Sequence, residues 1–423
     1  MTDLQTLRRT PEGYFTTRWG QPEYTDWQDE SLSWKEGCYI GDWSFLWERR
    51  FRGPDVMKLF ADVSVNNFDN FAIDQSKHVI HTDAAGKIIA EGVATRLSAE
   101  EVMLFGRGTF WVDHALRHGS YRVESQADDW FNFQVQGPDA IHVVEKACGQ
   151  SLRDVKFMHN GRIRIAGCEV MALRQGMSGE LGFELQGDIG QSQAVYDAIL
   201  AAGQAFGIRR LGGRAACINH LEACFPTIVT DYLPAIFEPA MTGYRDEFRA
   251  AMPAFANTFK VAGSFEGTQM SDWYRSPVEL GWANRIHLGH AFIGRDALAA
   301  EKAAPRRMIR TLVWNPDDVA AVYASLFRKD TRPYDWMEMP RDQRGFMYCD
   351  RVLRNGRDIG TTTSRGYSYF FREMLSLATL DVGEAEIGGA VSVLWGAPDR
   401  PQIEIRATVA PAPYKQDNRR AAY

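Results

Sequence analysis

Three stretches of the chain combine residue types able to bind polar groups or move protons. In RQGMSGELGFELQG, Arg174 to Gly187, the glycines Gly176, Gly179 and Gly182 permit tight turns and close backbone approach, and in the strand that follows Phe183 and Leu185 point one way and Glu184 the other. A carboxylate set in that way can accept two parallel N–H donors at once. In LGGRAACINHLEACFPT, Leu211 to Thr227, His220 stands on an amphipathic helical pattern, where an imidazole can act as general acid or base. In SRGYSY, Arg365 offers a planar fork for a carboxylate, with Tyr367 two positions on. Glu91 lies in a strand-like segment further upstream, and Tyr24 lies among the aromatics of the first 50 residues.

Positioning these groups requires a mixed set of elements. Apolar spacing predicts a short helix from Asp55 to Phe60, strands at His78–Ile80, Gly86–Ile89 and Val102–Phe105, and a hairpin turn at Asp83–Gly86. It continues with a helix over Trp111–His118, a strand over Phe131–Gln136, a helix over Ala140–Cys148, and a hairpin from Arg162 to Leu173 turning at Ala166 and Gly167. This is an α+β pattern. In the last third, short strands punctuated by glycine, with Leu375, Leu377 and Leu380 and then Val391 to Leu394, predict a small antiparallel β-barrel. Tyr14, Phe15, Trp19, Tyr24, Trp27, Trp34, Tyr39, Trp43, Phe45 and Trp47 crowd the N-terminal segment, as core packing or as the wall of an aromatic-lined pocket.

Composition narrows the classes of function. A chain of 423 residues exceeds the usual single-domain size, and 45% hydrophobic with 24% charged residues is ordinary for a globular protein. The net charge of −6, with no Lys/Arg-rich stripe, argues against nucleic acid as partner. The N-terminal MTDLQTLRRTPEGYF lacks an apolar signal core and no apolar run is long enough to span a bilayer, so no membrane association and a cytoplasmic location are expected. Six scattered cysteines without CxxC read as reduced thiols. The nine histidines are not expected to form an HxxxH or HExxH pattern on a helix, and no metal is expected. Neither GxGxxG nor GxxxxGKS/T offers a nucleotide cradle.

The Gly-rich stretch at Arg174–Gly187, the FQVQGPDAIHVVEKACG segment and the helix beginning G-x-R at Gly212 to Arg214 resemble the aminomethyltransferase family, named for the T-protein of glycine cleavage. Further likeness, in Glu23–Ser44, Ala85–Arg107 and Asp317–Phe327, is to its branch of tetrahydrofolate-dependent O-demethylases of methoxy aromatics, of the vanillate/3-O-methylgallate and syringate type. The likeness runs from about Tyr14 to Tyr414. It implies an aminomethyltransferase-like folate-binding fold over residues 1–305, built as two intertwined α+β subdomains, with a C-terminal antiparallel β-barrel over 306–423. Tetrahydrofolate would sit in a central hole between these units, with the aromatic N-terminal segment walling the substrate side. On this resemblance Glu184 anchors the pterin, whose 2-amino group and adjacent N–H present two donors side by side. Gln136 meets pterin or substrate through its amide, Phe225 stacks on the pterin, and Arg365 and Tyr367 reach the glutamate tail or a substrate carboxylate.

What the resemblance implies is an enzyme that moves a methyl group from a methoxylated aromatic, lignin-derived or a similar aryl ether, to tetrahydrofolate. His220 or Tyr24 (with Tyr39 and Tyr244 as other tyrosines) would protonate the leaving oxygen, and Glu91 would position the pterin or handle a proton. Two departures stand out: Ala216 occupies the place where demethylases of this branch carry a proton-donating tyrosine and T-protein an aspartate, and Ser44 and Phe45 replace a pair of histidines. An alternative on the same scaffold is therefore methylene transfer, or release of the carbon as formaldehyde, from a lignin-derived aromatic. A further alternative is a non-catalytic folate-binding protein, whose branch is echoed by KEGCYIGD around Cys38. The aryl substrate and the oligomeric state are not fixed by the sequence.

Overall fold

The computed structural model describes residues 4–9, 20–252, 260–340 and 347–422, so Tyr14, Phe15 and Trp19 lie outside the described residues. Three sheets account for most of the architecture. The first has six strands in the order 209–210, 39–42, 130–136, 182–188, 168–174 and 160–165; all pairs are antiparallel except that of 39–42 with 209–210. Residues of period two divide its faces. Phe131, Phe133, Val135, Phe183 and Leu185 pack in one core with Val143 and Val144 of helix Ala140–Cys148 and Val195 and Ile199 of helix Ser192–Gly203. Tyr39, Asn132, Gln134, Gln136 and Glu184 lie outside that core, buried instead as a row of polar groups.

A five-stranded antiparallel sheet follows the order 76–82, 88–98, 101–105, 48–52 and 124–128. Helices Val56–Val63 and Gly108–His118 bury Leu59, Phe60 and Val112 in a common core with Val79, Val102 and Leu104 of this sheet. The third unit is a closed six-stranded antiparallel barrel. Its strand order is 307–314, 373–381, 357–368, 350–354, 390–395 and 403–410, with 403–410 pairing back onto 307–314. The expected hairpins, helices and barrel are thus present. Among the described residues, no helix is long and apolar enough to cross a membrane.

Beyond the barrel the chain turns back onto the six-stranded sheet's side of the molecule. Lys415, which is buried, donates from Nζ to the Ser178 carbonyl at 2.9 Å and forms an ion pair with Glu180; Asn418 donates its backbone N–H to the Gly179 carbonyl at 2.9 Å. The C-terminal segment therefore braces the Gly-rich turn that precedes Glu184.

Gly137 shows why glycine is needed in the bend after strand 130–136. Its φ is +128°, and a Cβ there would lie 2.4 Å from the Gly37 carbonyl oxygen and 2.9 Å from Cys38 Cα, both backbone atoms that cannot swing away. Gly137→Ala is expected to lose about 2–4 kcal/mol of folding stability in urea unfolding, the combined effect of an unfavourable φ and a backbone clash. A loss below the scatter of such measurements would mean that the bend can relax.

Candidate active site

Where the two sheets and the barrel meet, they enclose a cavity of about 200 Å³. The five-stranded sheet contributes Glu91, Gly92, Val93 and Phe105, and the six-stranded sheet contributes Asn132 and Glu184. Helix Gly213–Glu222 contributes Cys217 and His220, and the barrel contributes Ser364 and Arg365. A loop carrying Trp43, Phe45, Leu46 and Trp47 forms an aromatic wall. That loop is pinned to both sheets: Trp43 N–H donates to the Asn132 carbonyl at 2.8 Å, Asn132 N–H donates to Ser44 Oγ at 3.0 Å, and Gly106 N–H donates to the Trp47 carbonyl at 2.8 Å.

Glu184 is the chief polar group of the cavity. Its Oε1 accepts from Gln175 Nε2 at 2.6 Å and from Gln134 Nε2 at 3.2 Å. Burial pushes the carboxyl up to about 7, against the opposing pull of the hydrogen bonds from Gln175, Gln134 and Asn132. Asn132 Oδ1, buried on the same wall, has no hydrogen-bond partner among the described residues. A carboxylate and an amide oxygen side by side, both acceptors, fit a flat ligand with adjacent N–H donors. The sequence signal for the supporting amides is that Asn132, Gln134 and Gln136 alternate with Phe131, Phe133 and Val135 in one strand, a period-two pattern of a buried polar face.

Glu91 forms a second polar centre. His78 Nε2 lies 2.8 Å from Glu91 Oε2. Burial holds His78 below the usual histidine range, with Arg285 acting in the same direction, so a neutral imidazole donates its Nε2–H to the carboxylate. Burial alone would raise Glu91, but the His78 hydrogen bond and the charges around it, including Arg107 and Arg285, bring its pKa below the usual value and keep it ionised. The His78 ring in turn sits edge-on to Trp282, with centroids 4.8 Å apart, and tilts against Phe225 at 6.1 Å.

The structure brings together Glu91, Glu184, His220, Phe225 and Arg365 around this cavity. His220 is buried, its ring 6.2 Å from Trp43 and 5.8 Å from Phe225. Phe225 lies beyond the helix rather than on it: helix 213–222 ends, Cys224 takes φ +49°, and Phe225 N–H donates to the His220 carbonyl at 2.8 Å, which turns the ring inward. Arg365 places its guanidinium 5.2 Å above the Trp395 ring centroid.

Three expected site residues lie elsewhere. Tyr24 is 37% exposed and packs under the Arg210 guanidinium, because the chain turns outward before helix Trp27–Glu36. Gln136 is fully buried behind the Gly-rich turn, its Oε1 accepting from Tyr39 Oη at 2.9 Å and Ser178 N–H at 3.0 Å, so it shapes the turn and does not line the cavity. Tyr367 packs edge-on against Trp27, with ring centroids 6.1 Å apart. Tyr39 and Tyr244 are buried outside the cavity lining. Ala216 is fully buried in a cluster with Trp34, Tyr39 and Trp43 and offers no hydroxyl. Cys38 is a core residue whose thiol burial pushes up to about 12, which does not suit a reactive thiolate. His114 and His118 stand one turn apart on helix Gly108–His118, an HxxxH spacing at odds with the expectation that the histidines form no such pattern.

Residues 9–244 match the GCVT N-terminal domain family. A sesamin methylene transferase of Sinomonas sp. (strain No.22) is 34% identical over 413 residues, covering 93% of this chain and 89% of the relative. A syringate O-demethylase of Sphingobium sp. (strain NBRC 103272 / SYK-6) is 30% identical over 419 residues, with the same coverage of 93% and 89%. In three dimensions the chain is similar to the glycine cleavage system aminomethyltransferase T from Bartonella henselae, with a TM-score of 0.70 at 18% identity over 97% of this chain and 95% of the other.

Proposed function

The chain belongs to the aminomethyltransferase (GCVT) family and is a tetrahydrofolate-dependent one-carbon transferase; from that premise we propose that it demethylates a methoxylated aromatic, a lignin-derived or similar aryl ether. The observation that carries this reading is the division of one cavity into an aromatic wall of Trp43, Phe45 and Trp47 and a polar floor of Glu184 and Asn132. The wall suits an aryl ring. The floor suits the pterin, which Glu184 would hold through its paired N–H groups with Asn132 Oδ1 beside them.

When bound, tetrahydrofolate supplies the nitrogen that accepts the carbon. The protein's own residues do the rest. Glu184, held by Gln134 and Gln175, fixes the ligand's orientation, and Phe225 gives it an apolar contact. The aromatic wall excludes water and aligns the ether, which is the larger part of what an in-line displacement at carbon requires. His220 is the general acid for the departing aryl oxygen, and Glu91, oriented by His78, offers fixed negative charge in the same cavity. Arg365 meets a substrate carboxylate or the glutamate tail.

A second reading is favoured by one specific feature. With Ala216 offering no phenolic hydroxyl, and with a sesamin methylene transferase among the relatives at 34% identity, the carbon would leave a methylenedioxy aromatic as methylene. One anaerobic experiment separates the two: incubate the protein with tetrahydrofolate and a panel of methoxy and methylenedioxy aromatics, then follow products by mass spectrometry. A phenol with 5-methyl-tetrahydrofolate in equal amounts establishes demethylation; a catechol with 5,10-methylene-tetrahydrofolate establishes the second reading. Turnover independent of folate would sink both.

The raised Glu184 carboxyl gives this reading a pH signature. Only the ionised form accepts two N–H donors, so apparent tetrahydrofolate affinity is expected to rise about tenfold per pH unit up to about 7 and then level off. Anaerobic calorimetry across that range measures it, and an affinity independent of pH would remove Glu184 from the binding site.

A further inference from the structure

Helix Gly108–His118 presents His114 and His118 on one face, one turn apart, and helix Thr242–Ala251 brings Glu247 against them. His114 Nδ1 lies 2.8 Å from Glu247 Oε2, and His118 Nε2 lies 2.8 Å from Glu247 Oε1. The three ligand atoms all fall within 4.8 Å of one another. We propose that His114, His118 and Glu247 bind one divalent transition-metal ion of the zinc class, with water completing its coordination.

The donor set is the basis for the choice of ion. Two imidazoles and one carboxylate suit zinc, nickel or copper, whereas magnesium and calcium ask for oxygen ligands throughout. Two histidines at i and i+4 face the same side of a helix, and small side-chain rotations that open the two contacts to Glu247 let an ion enter between the donors at a bonding distance of about 2.0–2.2 Å. The His114 ring is already oriented, stacked on Trp111 with centroids 5.6 Å apart and edge-on to Tyr244 at 5.3 Å. His118 is exposed, which leaves a path from solvent. Arg117 now shares Glu247 at 2.8 Å but also pairs with Asp113 at 3.2 Å, so the incoming ion displaces it onto a carboxylate already in reach. None of the three ligands lines the central cavity. The ion would link two helices, and by binding only the folded state it would stabilise the protein.

The test is calorimetric titration of chelator-stripped, untagged full-length protein with zinc chloride, repeated with cobalt(II) and followed by visible absorption. The expected result is one equivalent bound with micromolar affinity, a cobalt spectrum without thiolate charge-transfer bands, and a melting temperature raised by the metal. His118→Ala, at an exposed position, should weaken zinc binding at least tenfold while leaving the metal-free melting temperature nearly unchanged. No stoichiometric binding, a thiolate band, or equal binding by His118→Ala would overturn the proposal. Glu247→Gln serves as an independent second variant and should also weaken binding.

Discussion

Glu184→Ala is expected to weaken tetrahydrofolate binding about 100-fold to 1000-fold, equivalent to about 3–4 kcal/mol, because truncation leaves two N–H donors of a buried ligand without their ionised acceptor. Glu184→Gln retains the shape but turns an NH₂ toward one of those donors, and should fall between the wild type and alanine. The glutamine substitution has the opposite effect on the unliganded fold. With the folded-state carboxyl raised to about 7, above its unfolded value of 4.5, the native state holds more protons than the unfolded state between these two pH values. Its contribution to stability is therefore present below about 4.5 and lost as pH rises through about 7. Near pH 8 the native protein carries the penalty of a buried, ionised carboxylate, so Glu184→Gln should be more stable than wild type by about 2 kcal/mol, a difference that vanishes in acid. Equilibrium dissociation by anaerobic calorimetry and urea unfolding at two pH values measure both effects. A glutamine variant that loses binding and stability together would show that Glu184 serves the fold, and the assignment of the pterin floor would fail.

That opposition of effects explains why Glu184 was legible in the sequence while much of its surroundings was not. A charged residue between Phe183 and Leu185, behind three glycines, contradicts local burial preference, and such contradictions mark functional positions. The hairpin at Ala166–Gly167, helix Ala140–Cys148 and the barrel strands were equally plain, since period and turn chemistry are local. Residue type alone is a weaker guide. Tyr24 and Tyr367 are capable phenols, but what a phenol meets is decided by contacts remote in sequence, here Arg210 and Trp27. The strand of Gln136 is plain in the sequence, yet its amide turns to Tyr39 and Ser178 because the Gly-rich turn folds over it. His78 is a lone histidine in a strand pattern; only the pairing of strands 76–82 and 88–98 sets it beside Glu91. The C-terminal brace through Lys415 and Asn418 is likewise invisible to any local pattern, spanning more than half the chain.

Glu222 shows the same limit with the greatest consequence for stability. Nothing local in Leu211–Thr227 tells that its carboxylate, with 1% of the side chain exposed, joins three separate elements. It accepts from Trp34 Nε1 at 3.0 Å, pairs with Lys35 Nζ at 3.0 Å, and accepts from Ser368 Oγ at 2.6 Å, tying helix Trp27–Glu36 and helix Gly213–Glu222 to barrel strand 357–368. Lys35, only 7% exposed, lies over the rings of Phe370 and Phe371 at 4.8 and 4.7 Å and has no easy route to water. Glu222→Ala strands that ammonium and an indole N–H in the interior, and is expected to lower folding stability by about 3–5 kcal/mol. The cost comes from the abandoned partners more than from the lost attraction. Lys35→Met combined with Glu222→Ala removes the uncompensated charge and should therefore recover at least half of the loss, a non-additivity that the cycle of the two single variants and the double variant reads directly in urea. Because helix 213–222 also carries His220 into the cavity, the alanine variant should lose turnover at temperatures where the double variant retains it. A loss under about 1 kcal/mol for Glu222→Ala would mean that water reaches Lys35, and that the barrel is held to the body by its apolar contacts alone.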